Sequence, residues 1–265
     1  MGTKKKITSA NDPAESEKPA EPRQLVNLLK VPIDIVEPET LSSIIIDLAK
    51  DKKEHNIVLL SLWDLLRARR NGEYRNYILN ASMVVPISKS IISGVKFLTG
   101  KTVYRFMPFD FIISALTALE SRELSCYLLG GDRKALVKTE QNIRQTFPKL
   151  RVVGRFHGYF KKHEESTIIK AITKSSPSLL LVGRGVRGKE RWISKNNQIL
   201  GEGIRLWCSD IFDVFAEKKK HPSQSTFDAG LESIGYCFQN PFKFFRIFPY
   251  IGYKFMLLYY KLFKK

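Results

Sequence analysis

The chain alternates between continuous apolar runs and segments in which apolar residues recur at helical spacing. Continuous runs of about 4–8 residues are typical of strands buried on both faces of a parallel sheet, and a helical repeat predicts a helix that covers such a sheet. The predicted strands are 31–36, 56–62, 81–86, 124–131, 151–156 and 178–185. The predicted helices are 38–54, 64–80, 88–100, 109–124, 132–148 and 163–177, with one more opening at Glu190 and Trp192. This alternation suits βαβ crossovers, so we expect an α/β fold with an open, mostly parallel, doubly wound (Rossmann-like) sheet.

The two ends of the chain differ in composition from this alternating part. Residues 1–22 are rich in Lys, Glu, Pro and Ser and lack the apolar core of a secretory signal, which predicts a disordered tail. Residues 240–265 interleave aromatic residues with Lys and Arg, which is typical of a helical appendage lying in a bilayer interface. The alternative is a pair of helices packed on the core, with the lysines facing solvent. We therefore expect an α/β domain at 23–239 followed by a basic aromatic, membrane-interface appendage at 240–265.

The charge of the chain favours an anionic partner. Lys and Arg number 44 against 26 Asp and Glu, a formal net charge of +18. Nucleic acid, anionic lipid and phosphorylated substrates all fit such a charge. No RNA- or DNA-binding motif accompanies it, so no nucleic acid is expected. The three cysteines are far apart and the four histidines are scattered, so no metal site is expected either.

Glycines follow or lie within three of the predicted strands. Gly130 and Gly131 close one strand, Gly154 lies in the next, and Gly183 and Gly185 end the third. Glycines at a strand end let backbone N–H groups approach a phosphate or nucleotide, although two glycines also make an ordinary tight turn. The carboxyl ends of parallel strands share one edge, so the three together predict a ligand crevice there.

The order of these motifs resembles the WecG/TagA/CpsF glycosyltransferase family. The likeness lies in LLGG, FPKLRVVGRFHGYF, SPSLLLVGRG and a following E-x-W-I, and it extends over about 31–245. It implies an enzyme that transfers a sugar from a UDP-sugar, typically UDP-N-acetylmannosamine, to a polyprenyl-diphosphate-linked glycan in cell-surface polysaccharide synthesis. It also implies a cytoplasmic protein, peripheral at the inner face of the cell membrane, with no metal or other cofactor. Whether the protein forms a homo-oligomer is left open.

The resemblance also implies which residues would bind the donor. Nucleotide-sugar contacts are expected at Gly130, Gly131, Gly154, Tyr159, Gly183, Gly185, Glu190 and Asp213. Diphosphate contacts are expected at Arg187 and Lys189, for which a solvated basic face is the alternative.

One departure from the family pattern concerns catalysis. Family members carry P-D-G after the strand at 81–86, and its aspartate is the family's proposed general base; this chain has Pro86-Ile87-Ser88. An isoleucine cannot accept a proton, and loss of a positioned base costs about 10²–10⁴-fold in rate. Asp210 is a weak substitute base or simply an exposed loop carboxylate. Whether the protein is an enzyme is therefore uncertain. The alternative is a catalytically inactive relative that binds a nucleotide-sugar, a lipid-linked glycan or a partner protein.

Overall fold

The computed structural model describes residues 24–220, 223–229 and 248–263, and its strands form two sheets. A short antiparallel hairpin consists of β1 (Leu25–Leu28) and β2 (Val31–Asp34). The main sheet contains β3 (Glu54–Leu60), β4 (Met83–Pro86), β5 (Ser125–Leu129), β6 (Arg151–Phe156), β7 (Leu179–Gly183) and β8 (Gly203–Ser209). These six strands lie in the order β4-β3-β8-β7-β5-β6, and every pair is parallel. The expected parallel α/β sheet is confirmed, and all its strands end at one edge, called the carboxyl edge below.

Helices cover both faces of this sheet. They are α1 (Leu41–Lys50), α2 (Leu62–Arg70), α3 (Gly72–Leu79), α4 (Lys89–Thr99), α5 (Pro108–Glu120), α6 (Arg133–Thr146), α7 (Glu165–Ser175), α8 (Glu190–Leu200), α9 (Ile211–Phe215), α10 (Gln224–Ala229) and α11 (Phe248–Phe263). One buried cluster joins the sheet to the hairpin, α2, α3, α4, α7, α8 and α11. The other joins the opposite face to α1, α5, α6 and α9. Alternate strand residues supply the two clusters, as a sheet covered on both faces requires.

The segment expected as one helix at 64–80 consists of two helices. Asn71 has an extended backbone (φ −119°, ψ 108°), and its side chain accepts the N–H of Tyr74, which caps the start of α3. At the start of α2, Ser61 and Asp64 form a reciprocal capping box. Both starts follow ordinary N-cap chemistry, in which an Asn or Ser side chain satisfies an unpaired helix amide. The break places Tyr74 and Tyr77 on the short helix α3.

Two strands were not expected from the sequence. β8 lies at the centre of the sheet between β3 and β7, yet its run GIRLWCS is interrupted by Arg205, which is only 2% exposed. β1 belongs to the hairpin beside edge strand β4, where the carboxylate of Asp34 accepts the Val84 N–H at 2.6 Å. The strand β8 was missed because a charged residue interrupts its apolar run. The strand β1 was missed because the hairpin is short.

The described part of the predicted C-terminal appendage is the helix α11. Its Tyr253 hydroxyl donates to the Ser90 carbonyl on α4 at 2.9 Å, and the Lys261 ammonium donates to the Phe97 carbonyl at 2.9 Å. No helix among the described residues is long and apolar enough to cross a membrane. The tail expected at 1–22 and the stretch 230–247 that leads to α11 lie outside the described residues, so the domain boundaries at 22 and 239 stay predictions.

Candidate functional site at the carboxyl edge

The glycines that end β5 and β7 bring those two strand ends into direct contact. A side chain at Gly130 would place its Cβ 2.6 Å from the Cα of Gly183, and Gly130 has φ +138°. A Cβ at Gly183 would in turn lie 2.7 Å from the ring of Phe212 on α9. Glycine therefore occupies position 130 because the Gly183 backbone leaves no room for a Cβ, and position 183 because the Phe212 ring leaves none.

The expected role of these glycines as amide donors needs a correction. The Gly130 N–H donates to the Phe156 carbonyl at 2.8 Å, and the Gly131 N–H donates to the Arg184 carbonyl at 2.7 Å. Because both amides are satisfied within the protein, neither offers its N–H to a phosphate in this structure. Contact between a nucleotide-sugar and other atoms of these glycines stays a prediction.

The remaining predicted glycines divide between the edge and the interior of the sheet. Gly185 lies at the edge beside Tyr159, whose ring a Cβ at Gly185 would meet at 3.0 Å. Tyr159 itself is 59% exposed, so its ring is open to a ligand. Gly154 lies inside β6, where a Cβ would come within 2.4 Å of the Tyr127 ring. Gly154 therefore makes room for Tyr127 and lies below the edge.

Asp213 is the buried acidic group of the edge. Its Oδ2 lies 2.9 Å from Nη2 of Arg184, which joins the ends of two neighbouring strands, β7 and β8. Asp213 is 6% exposed, and among the described residues its Oδ1 has no hydrogen-bond partner. A buried carboxylate oxygen without a donor is unusual, because the large majority of such atoms are satisfied. That oxygen can accept a hydroxyl or N–H of a ligand.

Asp210, the weak substitute base, also lies at the end of β8. Its carboxylate pairs with the Lys219 ammonium, and its side chain is 35% exposed. Its role as a base stays a prediction.

Glu190 is buried at the first position of α8. It is 7% exposed, and its Oε2 lies 3.3 Å from Nη1 of Arg67 on α2. Burial raises the pKa of Glu190, Asp64 adds to the rise, and Arg67 opposes it. Glu190 also lines a small cavity together with Tyr74 and Tyr77 of α3. The carboxyl group thus lies between α2, α3 and the sheet.

The two predicted diphosphate ligands are exposed cations in the loop between β7 and α8. Arg187 and Lys189 have no ion pair within residues 24–220, 223–229 and 248–263, whereas the neighbouring Arg191 pairs with Glu73 at 2.9 Å. Lys189 has φ +54° and ψ −124°, a conformation that side-chain-bearing residues rarely adopt. Such strain is often found at ligand sites. The loop can therefore offer two cations to an anionic ligand.

The end of β4 has its polar groups engaged. The Ile87 N–H donates to the Leu60 carbonyl at 3.0 Å, and the Ile87 carbonyl accepts from Nε of Arg105 at 2.9 Å. The Ser88 hydroxyl accepts the N–H of Leu62 at 3.2 Å, which helps to cap α2. The turn that would carry the family base thus serves structural contacts.

Helix α10 packs beside this turn, which the sequence did not suggest. The Arg105 guanidinium lies 3.7 Å from the ring centroid of Phe227 and also donates to its carbonyl. The Lys89 ammonium donates to the Asp228 carbonyl at 2.9 Å. Two cations therefore bind carbonyls near the end of α10, where helix carbonyls lack partners. No local motif marks Arg105 or Phe227, because they are 122 residues apart.

No three His, Cys, Asp or Glu side chains come together in a way that could hold a metal ion, within the part of the chain that the structure describes. The candidate site combines the buried carboxylate of Asp213 and the exposed cations Arg187 and Lys189, which follow β8 and β7, with the exposed ring of Tyr159, which follows β6. This set suits a ligand that carries hydroxyl groups and phosphates.

Comparison with known proteins assigns the family. The sequence model of the Glycosyl transferase WecG/TagA/CpsF family matches residues 26–265. The chain belongs to this family. The resemblance in the motifs is thereby confirmed.

Two proteins similar to this chain have names that state an activity. The chain is similar to the N-acetylglucosaminyldiphosphoundecaprenol N-acetyl-beta-D-mannosaminyltransferase of Bacillus spizizenii, with 22% identity over 157 residues, which is 59% of this chain and 60% of the relative. It is also 22% identical over 153 residues to the protein of the same name from Staphylococcus aureus, covering 58% of this chain and 59% of the relative. The chain spans about 60% of the length of the relatives it matches.

Proposed function

We propose that this protein is a glycosyltransferase of the family that uses a UDP-sugar of the UDP-N-acetylmannosamine class and a polyprenyl-diphosphate-linked acceptor. The family match over residues 26–265 carries the proposal. The relatives' names support the choice of substrates, because they name a lipid-linked N-acetylglucosaminyl diphosphate and the transfer of N-acetylmannosamine. The process served would be the synthesis of a cell-surface polysaccharide.

The carboxyl edge supplies groups that suit such a donor. The unpartnered Oδ1 of Asp213 can accept a hydroxyl or N–H of the nucleoside, while Arg187 and Lys189 can neutralise the diphosphate. In the transfer, the acceptor hydroxyl oxygen bonds to C1 of the donor sugar as the bond from C1 to the diphosphate oxygen breaks. UDP leaves with that electron pair, and nearby cations stabilise its growing charge. The hydroxyl proton must pass to a base, which the Ile87 position lacks.

A second candidate is a catalytically inactive relative that binds a nucleotide-sugar, a lipid-linked glycan or a partner protein. The β4 end favours it, since the Ile87 carbonyl and the Ser88 hydroxyl are already bonded within the protein. An inactive relative that binds a nucleotide-sugar would share donor binding with the enzyme and differ from it in turnover.

A transfer assay on the full chain separates the two candidates. It would combine UDP-N-acetylmannosamine with a short-chain N-acetylglucosaminyl-diphosphate lipid, detect the disaccharide product by mass spectrometry, and measure UDP binding by calorimetry. Product formation supports the enzyme. UDP binding without product supports the inactive relative, and the absence of both contradicts the donor site at the carboxyl edge.

Helix α11 supports peripheral association with an anionic membrane surface through the segment 240–265, at the inner face of the membrane. Tyr253 and Leu257 face the core, and the opposite side of the helix is apolar as well as exposed. The large apolar residues exposed there are Phe248, Ile251, Phe255, Leu258, Tyr259, Leu262 and Phe263. The helix contains no acidic residue, and its lysines suit anionic lipid headgroups.

Vesicle flotation tests this part of the proposal. Replacing Phe255 and Phe263, which are 70% and 71% exposed, with serine should weaken binding to phosphatidylglycerol vesicles by about 100-fold or more. The matched control replaces exposed Val137 of α6 with serine, because α6 and α11 pack on opposite faces of the sheet. Unchanged flotation of the double variant would contradict membrane contact through α11.

A further inference from the structure

The positive charge of the described residues is concentrated on one group of helices. Helices α2, α4 and α11 contain one acidic residue, Asp64, whose carboxylate accepts the Ser61 N–H and hydroxyl in the capping box. The same helices contain seven basic residues, namely Arg67, Arg69, Arg70, Lys89, Lys96, Lys254 and Lys261. Helices α1, α5, α6 and α9, which cover the opposite face of the sheet, carry five basic and five acidic residues. One face is therefore cationic, whereas the other is balanced.

Helix α11 runs along α2. Tyr250, near the start of α11, meets Trp63, near the start of α2, edge to face with the ring centroids 6.5 Å apart. Tyr260, near the end of α11, meets Arg69, whose guanidinium carbon lies 5.3 Å from the ring centroid. Arg70 is exposed and lies about two turns after Trp63, so it is on the same side of α2 as Trp63. The last cations of α2 therefore border α11.

Helix α11 also runs along α4. The Tyr253 hydroxyl donates to the Ser90 carbonyl in the first turn of α4, and the Lys261 ammonium lies 5.4 Å from the Phe97 ring centroid in the last turn. Phe97 is a large apolar residue that is nevertheless exposed, and exposed Lys96 precedes it. An aromatic ring beside a lysine extends the apolar and cationic character of α11 onto α4.

The side chains of this surface fit an anionic lipid better than a nucleic acid. Ile251, Leu258 and Leu262 on the outer side of α11 are aliphatic and exposed. Nucleic-acid bases stack on aromatic rings and cannot bury a row of aliphatic side chains. A bilayer interface takes up aliphatic and aromatic side chains alike, while its anionic headgroups attract the bordering cations. The combination therefore favours a phospholipid surface.

We propose that the face formed by α2, α4 and α11, called the docking face below, lies on an anionic phospholipid surface, with Arg70 and Lys96 of the α/β domain at the headgroup phosphates. The inference rests on the proposed membrane contact of α11 and extends it to the domain. Helices α2 and α4 begin within three residues of the ends of β3 and β4, so docking places these strand ends beside the headgroups. A lipid-linked diphosphate can then reach the carboxyl edge from the membrane.

Flotation with two kinds of vesicle tests the docking face on the full chain. The double variant Arg70→Gln with Lys96→Gln should keep α11 in place, because no hydrogen bond or ring contact joins either side chain to α11 among the described residues. It should bind mixed phosphatidylglycerol and phosphatidylcholine vesicles about tenfold more weakly than the wild type, since it lacks two cations that an anionic surface attracts. Binding to pure phosphatidylcholine vesicles should not change, because that surface has no net charge.

A matched control removes the same charge from the opposite face. Lys50 ends α1 and Arg122 follows α5, and both side chains are exposed. Lys50→Gln with Arg122→Gln should bind the mixed vesicles as the wild type does. High salt should reduce the difference between the wild type and the Arg70 and Lys96 variant, because salt screens exposed charges.

The outcomes separate the docking face from the proposed function. Equal binding of the wild type and the Arg70 and Lys96 variant to mixed vesicles, or an equal loss in the control, overturns the docking face. A variant that keeps vesicle binding but loses affinity for a single-stranded oligonucleotide overturns it in favour of nucleic acid. A wild type that floats with neither vesicle contradicts the membrane contact of α11 as well. Failure of UDP binding or of transfer contradicts the proposed enzyme and leaves the flotation result valid.

Discussion

The two halves of the carboxyl edge differ in what they offer a ligand. At the ends of β7 and β8, Oδ1 of Asp213 has no hydrogen-bond partner among the described residues, and the loop after β7 carries two cations that form no ion pair with them. At the end of β4, Ile87 and Ser88 have their polar groups bonded within the protein, and α10 packs beside them. One half therefore retains binding chemistry, while the other half has become structural.

The difference indicates that binding and proton transfer are separable in this fold. The contacts that suit a nucleotide diphosphate come from β7, β8 and the loop after β7. The family's base position lies at the β4 end, which β3 and β8 separate from β7 in the sheet. Substitutions at the β4 end can abolish turnover without touching the binding half. Four changes probe this separation.

The largest expected effect is on the scaffold of the binding half. Gly130→Ala places a Cβ 2.6 Å from the Gly183 backbone at φ +138°, so we expect the free energy of unfolding to fall by about 3 kcal/mol or more. Chemical denaturation measures it. Gly72→Ala is the control, because nothing lies within 4 Å of its Cβ, and it should change stability by less than about 1 kcal/mol. Equal stability of the two variants would contradict the close packing of β5 on β7.

The next effect concerns the β4 half. Ile87→Asp restores the family's carboxylate, and we expect transfer to become about 100-fold faster, the lower end of the usual contribution of a base. Arg105 contacts the Ile87 carbonyl and would pair with the new carboxylate, which limits its basicity. The transfer assay measures the rate, with Ile87→Asn as the uncharged control. If Ile87→Asp binds UDP but shows no gain in transfer rate, more than one residue at the β4 end prevents catalysis.

A smaller effect is expected for donor binding. Asp213→Asn removes the buried charge and weakens its pair with Arg184, so UDP should bind about tenfold more weakly. Calorimetry measures the affinity. Glu217→Gln is the control, since its exposed pair with Lys138 lies at the surface. Unaltered UDP affinity in Asp213→Asn would contradict contact between the nucleoside and the end of β8.

The smallest effect is the dependence of stability on pH. Burial raises the pKa of Glu190 in the folded protein above its value in the unfolded chain. The free energy of unfolding therefore falls as pH rises from the ordinary carboxyl pKa to the raised one, because the unfolded chain loses its proton first. Glu190→Gln should therefore unfold at a higher temperature at neutral pH, by about 2 °C, and the difference should vanish below about pH 4. Thermal unfolding at several pH values measures it, with exposed Glu73→Gln as control. A variant less stable at neutral pH would mean that the ion pair with Arg67 outweighs burial.

Much of the fold was predictable because buried strands and covering helices leave local patterns. The apolar runs predicted as strands at 81–86 and 178–185 contain β4 and β7. The buried Arg205 hid β8, since no local rule reveals that a charged residue lies inside a sheet. The cap at Asn71, which divides α2 from α3, depends on one side-chain hydrogen bond that the helical spacing does not record.

The location of the candidate site was predictable, whereas its hydrogen bonds and ion pairs were less so. The carboxyl edge follows from parallel strands, and the family motif pointed to Asp213. That the Gly130 and Gly131 amides are bonded to carbonyls depends on how β5, β6 and β7 end side by side. The pairing of Arg184 with Asp213 likewise required the register of β7 against β8.

By itself, the sequence determined that this is a parallel α/β protein of the WecG/TagA/CpsF family with an isoleucine where a base is expected. These properties follow from the hydrophobic periodicity and the order of the motifs, which depend on residues close together in the chain. Only the tertiary structure decided that β8 enters the centre of the sheet, that Arg105 joins α10 to Ile87, and that the buried hydroxyls of Tyr74 and Tyr77 have no hydrogen-bond partner within the described residues. Those contacts join residues far apart in the chain, so they exist only once the strands and helices have packed.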